Sequence, residues 1–257
     1  MKRAQTSSSP TTRELERMGW LEFRKWIPSK IDTVLLPLGT LEAHGVIPNG
    51  TDIVIPVAMA KEIAPRLNAM IAPAIPYGFT GVLDAYPGCF TVAEDVYQAY
   101  VRAVLFGLTK NKFKNIIMLN GHGGGQTAIL ASLAQEVGRE TNTRMLVVNW
   151  WSYCSDVVQE VFGEAGGHAG NTETAYIMAI DPSLARKQDY KSNMATAMPA
   201  PNTWSAYPFP SSIMLYKEGE GLPNFDLAKA KSYYSKVNEK VARLIEETIE
   251  KWNLAGL

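Results

Sequence analysis

Short, nearly continuous apolar runs alternate along the chain with longer stretches whose apolar residues recur every three or four positions. Residues 33–38 (TVLLPL), 115–119 (NIIML) and 145–149 (MLVVN) read as strands. A run without polar alternation suits a strand covered on both faces. Pro37 has no backbone donor, which demotes the first run to a strand-end or edge position. Residues 70–75 read as another strand, running into the turn-rich PYGFTG.

Helical spacing covers residues 12–26, with Leu15, Met18, Leu21 and Trp26 in phase. In IVIPVAMAKEIAPRL, Pro56 is placed to open a helix and Pro65 to limit it. Thr91 and Glu94 have capping-box spacing ahead of a stripe from Val96 to Leu108, in which Tyr97 and Tyr100 read as core. Further helices are expected over 126–140, over 172–180 (ending at Asp181-Pro182) and over about 227–252. Residues 191–225, proline-bearing and poor in apolar runs, read as an extended excursion over the surface. Strand–helix alternation with short connections predicts an α/β fold: three layers, α/β/α, around a mostly parallel central sheet. Residues 1–257 read as one domain, with 1–11 as a disordered lead.

Composition narrows the function classes. Hydrophobic residues make up 46% and charged residues 19%, so the chain can bury a sizeable core. Twenty-five basic residues balance 25 acidic ones, with no basic stripe for nucleic acid and no charge excess for a membrane surface. No apolar run approaches the ~18 residues of a membrane helix, and the N-terminus lacks the apolar stretch of a secretory signal. Cys89 and Cys154 form no metal-spaced pair and suggest a reducing compartment. A cytoplasmic protein is expected.

The chain has three histidines, His44, His122 and His168, and each sits beside glycine or alanine in a polar, Gly-rich stretch. Glu42 and His44 follow the first expected strand, in GTLEAHGVIPNGTD, with Asp52 eight residues beyond the histidine. Two positions apart, Glu42 and His44 project to one side of an extended backbone. His122 follows NIIML in NGHGGGQ, and His168 lies in GGHAGNTE with Glu173 at the start of a helix. Ligands of open α/β sheets bind beyond the carboxyl ends of the strands, where these loops leave. Imidazole and carboxylate donors suit zinc, manganese or iron. Three negative charges (Glu42, Asp52 and Glu173) would over-neutralise one divalent ion, so the count favours two sharing a bridging carboxylate.

Other chemistries fit less well. GHGGGQ lacks the lysine and hydroxyl of a phosphate loop, and Gln126 stands where a dinucleotide loop has its third glycine. No G-x-S-x-G marks a nucleophile. Glu42 and Asp52 as a metal-free carboxylate pair leaves three histidines unexplained.

Together the three loops resemble the creatininase (creatinine amidohydrolase) family. GTLEAHGVIPNGTD (39–52), NGHGGG (120–125) and HAGNTET (168–174) follow its motif order, and YGFTGVLDAYPG matches a further motif in part. The resemblance implies Glu42 and His122 as ligands of one metal, His44 as a ligand of the second and Asp52 as the bridge. Gly124 stands where creatininase itself has a glutamate, and Glu173 is then the candidate for the missing carboxylate. His168 matches the catalytic histidine, with Glu173 as a second candidate for proton transfer. Thr80 matches a substrate-contacting serine. Trp150 and Trp151, after the MLVVN strand, read either as a pocket wall or as packing at a subunit face. Leu83, Ile47 and Gly125 depart from the common pattern, which alters the substrate shell, and Gly124 argues against creatinine itself.

What the resemblance implies is a hydrolase that uses two divalent ions and activated water to cut an amide of a small molecule, cyclic or formyl, in a homo-oligomer that the family resemblance makes a hexamer. Ring opening of a cyclic ketone and a non-catalytic protein with a structural metal are the competing expectations.

Overall fold

The structure is a computed structural model that describes residues 9–257. The expected lead, 1–11, lies mostly outside the described residues. Thr11 does not belong to a free lead, because its N–H and hydroxyl both donate to the Glu22 carboxylate, at 2.7 and 2.6 Å.

The elements follow in the order α1 (Trp20–Trp26), β1 (Thr33–Leu38), α2 (Thr51–Ile63), β2 (Met70–Ile71), α3 (Glu94–Lys110), β3 (Asn115–Asn120), α4 (Gly125–Thr141) and β4 (Arg144–Asn149). Next come α5 (Trp150–Tyr153), α6 (Ser155–Phe162), α7 (Asn171–Ile180), β5 (Ala195–Ala197), β6 (Ile213–Leu215) and α8 (Leu227–Leu254). The main sheet has strand order β2-β1-β3-β4, and every neighbouring pair is parallel. Alternate residues feed opposite cores. Leu35, Ile117 and Leu119 pack with α2, α7 and α8, whereas Val34, Leu36, Leu38, Ile116 and Met118 pack with α1, α3 and α4. Both faces are therefore apolar, which is why β1 and β3 carry no polar alternation.

This order makes a switch point. The chain leaves β1 toward β2 on one side and leaves β3 toward β4 on the other, so the loops beyond β1 and β3 diverge and open a crevice between them.

Several local expectations change. Pro37 sits near the end of β1, but β1 is a central strand, not an edge. Its carbonyl accepts from the Ile75 N–H at 3.0 Å, so its donor-less nitrogen faces the side where β2 has already stopped. The 70–75 strand is only two residues long, continued by a single bridge between Leu38 and Ile75. Residues 12–26 are not one helix: a 3₁₀ turn at Leu15–Arg17 and α1 are separated around Gly19. Thr91 does not cap α3; its hydroxyl reaches the Thr80 carbonyl, and Ala93 holds the cap position. Tyr97 is fully buried, as expected, but Tyr100 is 54% exposed and is not core.

Pro56 does not open α2. The helix begins at Thr51, and Pro56 lies within it. The N–H that proline lacks would have bonded to the carbonyl four residues earlier, that of Asp52. That carbonyl instead lies against Gly39 and Gly121, just past the ends of β1 and β3. A Cβ on either glycine would come within 2.1 or 1.9 Å of it. Two glycines thus let the first turn of α2 enter the crevice, carrying the Asp52 side chain to its centre.

Candidate metal centre

All the side chains singled out for metal binding meet in this crevice. Glu42 and His44 come from the loop after β1, Asp52 from the first turn of α2 and His122 from the loop after β3. His168 and Glu173 flank the start of α7. Among the described residues, three sets of donor atoms each lie within 4.8 Å of one another: Glu42–Asp52–His122, His44–Asp52–Glu173 and Glu42–His44–His168. Asp52 is common to the first two. Its Oδ2 is 2.9 Å from His122 Nδ1, and its Oδ1 is 3.1 Å from His44 Nε2. Glu42 Oε1 lies 3.2 Å from His122 Nδ1, and Glu173 Oε2 lies 3.8 Å from His44 Nε2. The two carboxylate oxygens of Asp52 therefore face two different donor sets, the arrangement a bridging ligand requires.

Two of the three imidazoles, those of His44 and His168, are oriented by backbone carbonyls. His44 Nδ1 donates to the Glu42 carbonyl at 2.9 Å, which turns Nε2 into the site. His168 Nε2 donates to the Ala43 carbonyl at 2.7 Å and leaves Nδ1 3.5 Å from Glu42 Oε1. The His122 loop hangs on Asn120, whose Oδ1 accepts from the His122 N–H at 3.2 Å and from Gln126 Nε2 at 2.9 Å. Asn120 Nδ2 in turn donates to Asn149 Oδ1 at 2.7 Å, tying the loop to β4. Glu173 accepts from the Ala169 N–H at 2.5 Å. Ala169 has φ +56°, an uncommon conformation for a residue with a side chain, and it turns the backbone between His168 and α7.

The electrostatics show what the cluster lacks. Burial alone would make the His44 imidazolium easier to deprotonate, but Asp52, Glu173 and Glu42 outweigh it and raise His44 to about 10. Burial likewise opposes the charge on His122, yet hydrogen bonds to Asp52 and Glu42 push it well above the ordinary imidazole range. Asp52, whose ionised form burial disfavours, is held below the usual carboxylate range by the two imidazoles. Burial lifts Glu173 above its ordinary value. His44 Nε2 is buried and has no aligned hydrogen-bond partner, despite lying 3.1 Å from Asp52. A buried cluster of carboxylates around imidazole nitrogens favours positive charge, and the donor set fits divalent zinc, manganese or iron.

Gly124 has φ +58° and ψ −143°, backbone that strains any residue with a side chain, although a Cβ there would meet nothing within 4 Å. Glu173 is a carboxylate that stands beside His44, with its Oε2 3.8 Å from Nε2.

A cavity of about 600 Å³ opens onto Glu42, Asp52, His122, His168 and Glu173. Trp151 lines it, whereas Trp150 is turned into the core against Tyr176 and forms no part of the wall. Thr80 is buried between two lining residues, Phe79 and Gly81, and is not itself among them. The excursion over 191–225 does more than cross the surface. β5 and β6 pair in parallel, the Met214 N–H bonds to the His168 carbonyl at 3.1 Å, and Met198, Met214 and Tyr216 close one side of the cavity. Sequence reasoning missed these wall residues and the Asn120–Gln126 support. The signal for the latter was present, a polar residue ending an otherwise apolar strand.

A family-level comparison matches residues 16–245 to Creatininase: Creatinine amidohydrolase. A mycofactocin precursor peptide peptidase of Mycolicibacterium smegmatis is 29% identical over 164 residues, 60% of this chain and 60% of that protein. A creatinine amidohydrolase of Pseudomonas putida is 23% identical, over 64% of this chain and 70% of its own length. A 3-dehydro-scyllo-inosose hydrolase of Thermotoga maritima is 25% identical, over 61% and 53%. The chain thus spans less than two thirds of the length of the first and third of these relatives. In fold, it superposes on a manganese creatininase with a TM-score of 0.79 at 19% identity, covering 92% of this chain and 98% of that one. A mutant creatininase of Zn–Zn type gives 0.78 with the same coverage. On the match across most of its length, this chain belongs to the creatininase family of hydrolases.

Proposed function

We propose that the protein is a dinuclear metal-dependent hydrolase that cleaves a C–N bond in a small-molecule amide, cyclic or formyl. The observation that carries this reading is Asp52 at the shared vertex of two donor sets. Glu42, Asp52 and His122 would hold one ion, and His44, Asp52 and Glu173 the other. Two divalent ions in such a site supply Lewis acidity and lower the pKa of water toward neutrality.

The remaining steps belong to the chain's own groups. The cavity admits the amide above the donor cluster, with Trp151 among its lining residues. His168 carries the proton. Its Nε2–H is committed to the Ala43 carbonyl, so Nδ1, on the side facing Glu42, is the nitrogen free to take and return a proton. Glu173, with one oxygen held by the Ala169 N–H, is fixed as a positioned carboxylate, not a mobile one.

The open cavity over the donors favours catalysis over a purely structural metal. The inosose hydrolase among the relatives favours a second reading, hydrolytic ring opening of a cyclic ketone. A further expectation is a homo-oligomer. Among the described residues, no helix is long and apolar enough to cross a membrane.

The experiment is reconstitution. Chelator-treated protein receives zinc or manganese and is assayed on cyclic amides, formamides and a cyclic ketone. Metal-dependent release of amine or carboxylate supports the proposal; turnover that survives complete metal removal contradicts it.

A further inference from the structure

The cavity is larger than cleavage of a bare amide requires. Its roughly 600 Å³ falls in the range that encloses a drug-sized ligand. Its lining includes a side-chain-free strip, Gly123 to Gly125, and the rings of Trp151 and Phe79. The Trp151 indole stands 3.7 Å from where a Cβ on Gly123 would lie. The Phe79 ring lies within 2.7 Å of the corresponding point on Gly125. A Cβ on Gly124 would meet nothing within 4 Å. The rings are backed by packing, Trp151 edge-on to the buried Trp150 and Phe79 edge-on to the buried Tyr97. Leu83, Val158, Met198 and Met214 add apolar wall, beside the hydroxyls of Ser152, Ser155 and Thr172. Among the described residues lining the cavity there is no lysine or arginine, so an anionic group away from the donor cluster finds no cation.

We propose that the substrate is an uncharged amide bearing a flat aromatic arm, which lies over Gly124 between the rings of Trp151 and Phe79. The inference rests on the hydrolase reading for its amide head, but the slot exists without the metals. Aromatic rings lining one cavity favour a flat guest through stacking and area burial, and the glycines beside them add no side chain in its way. An arm carrying a carboxylate would lose its hydration with no partner in return.

Two experiments separate the slot from the metal site. In zinc-loaded protein, calorimetry compares acetohydroxamate, benzohydroxamate and 4-carboxybenzohydroxamate, which share a metal-binding head. The benzo compound is expected to bind about tenfold tighter than the aceto compound, and the carboxy compound about tenfold weaker than the benzo. Trp151→Ala should collapse the benzo-to-aceto ratio to about twofold. Met198→Lys, at a half-exposed rim position, should raise the affinity for the carboxy compound relative to the benzo. In chelator-treated protein, saturation-transfer NMR should detect the ring protons of benzamide, and Trp151→Ala should abolish the signal. Equal binding of the three hydroxamates, or no binding at all by zinc-loaded protein, overturns the slot. So does a benzo advantage that survives Trp151→Ala. Benzamide binding by a protein that takes up no zinc leaves the slot standing and removes the hydrolase reading.

Discussion

The floor and the wall of the cavity are built on opposite principles. The floor is charged and buried, and nearly every group in it is held by another. His44 is held by the Glu42 carbonyl, His168 by the Ala43 carbonyl, Glu173 by the Ala169 N–H and the His122 loop by Asn120. The wall is apolar and comes from unrelated segments. Met198 and Tyr216 remain 48% and 58% exposed. A buried charged cluster tolerates one geometry, because each misplaced donor leaves an uncompensated charge. An apolar wall tolerates many, because hydrophobic contact is non-directional. The proposed chemistry draws on the floor and the proposed selectivity on the wall, so the two can be perturbed separately.

The largest effect is expected at the shared vertex. Asp52→Ala removes the carboxylate whose two oxygens face two different imidazoles, and kcat/KM should fall about a thousandfold or more, with loss of bound metal. An enzyme that keeps both its metal and its turnover would break the distinction between floor and wall. His168→Ala comes next: it should keep the metal content while kcat falls by about a hundredfold to ten-thousandfold. Loss of metal in that variant would make His168 a ligand in the Glu42–His44–His168 set, and the proton would need another carrier.

Asn120→Ala tests whether support behind the floor counts as floor. It leaves Gln126 Nε2 and the His122 N–H without their acceptor, and metal affinity should drop about tenfold to a hundredfold with the fold intact. Gly121→Ala tests the crevice itself. The new methyl meets the Asp52 carbonyl, so thermal unfolding should show a loss of at least about 1–3 kcal/mol. An unchanged Tm would mean that α2 can retreat without cost. The smallest effects belong to the wall, where Trp151→Ala should change which ligand binds and leave metal content as it was.

The same contrast explains what could be read from the sequence. The floor was legible because its residues have little freedom of type. Imidazoles and carboxylates in glycine loops after apolar runs place themselves at the carboxyl edge of a parallel sheet. Glu42, His44, Asp52, His122, His168 and Glu173 all lie there. The layer order was legible for the same reason, since TVLLPL and NIIML suit only strands covered on both faces. What failed depended on partners distant in sequence. Pro37 reads as an edge residue until β2 is seen to end beside it. Pro56 reads as a helix start until Gly39 and Gly121 are seen to receive the freed carbonyl of Asp52. Trp150 and Trp151 are adjacent and of one type, so only the fold separates the core residue from the wall residue. Met198 and Met214 carry no local signal, because a thioether that closes a cavity resembles any other apolar residue.

The central claim is that Asp52 joins two metal positions. It is tested most directly by counting zinc bound per chain at saturation, in the wild type and in Asp52→Asn, which preserves shape while removing charge. The account predicts about two ions per chain in the wild type and a loss in the variant. A single ion per chain, bound as tightly in Asp52→Asn as in the wild type, would contradict it.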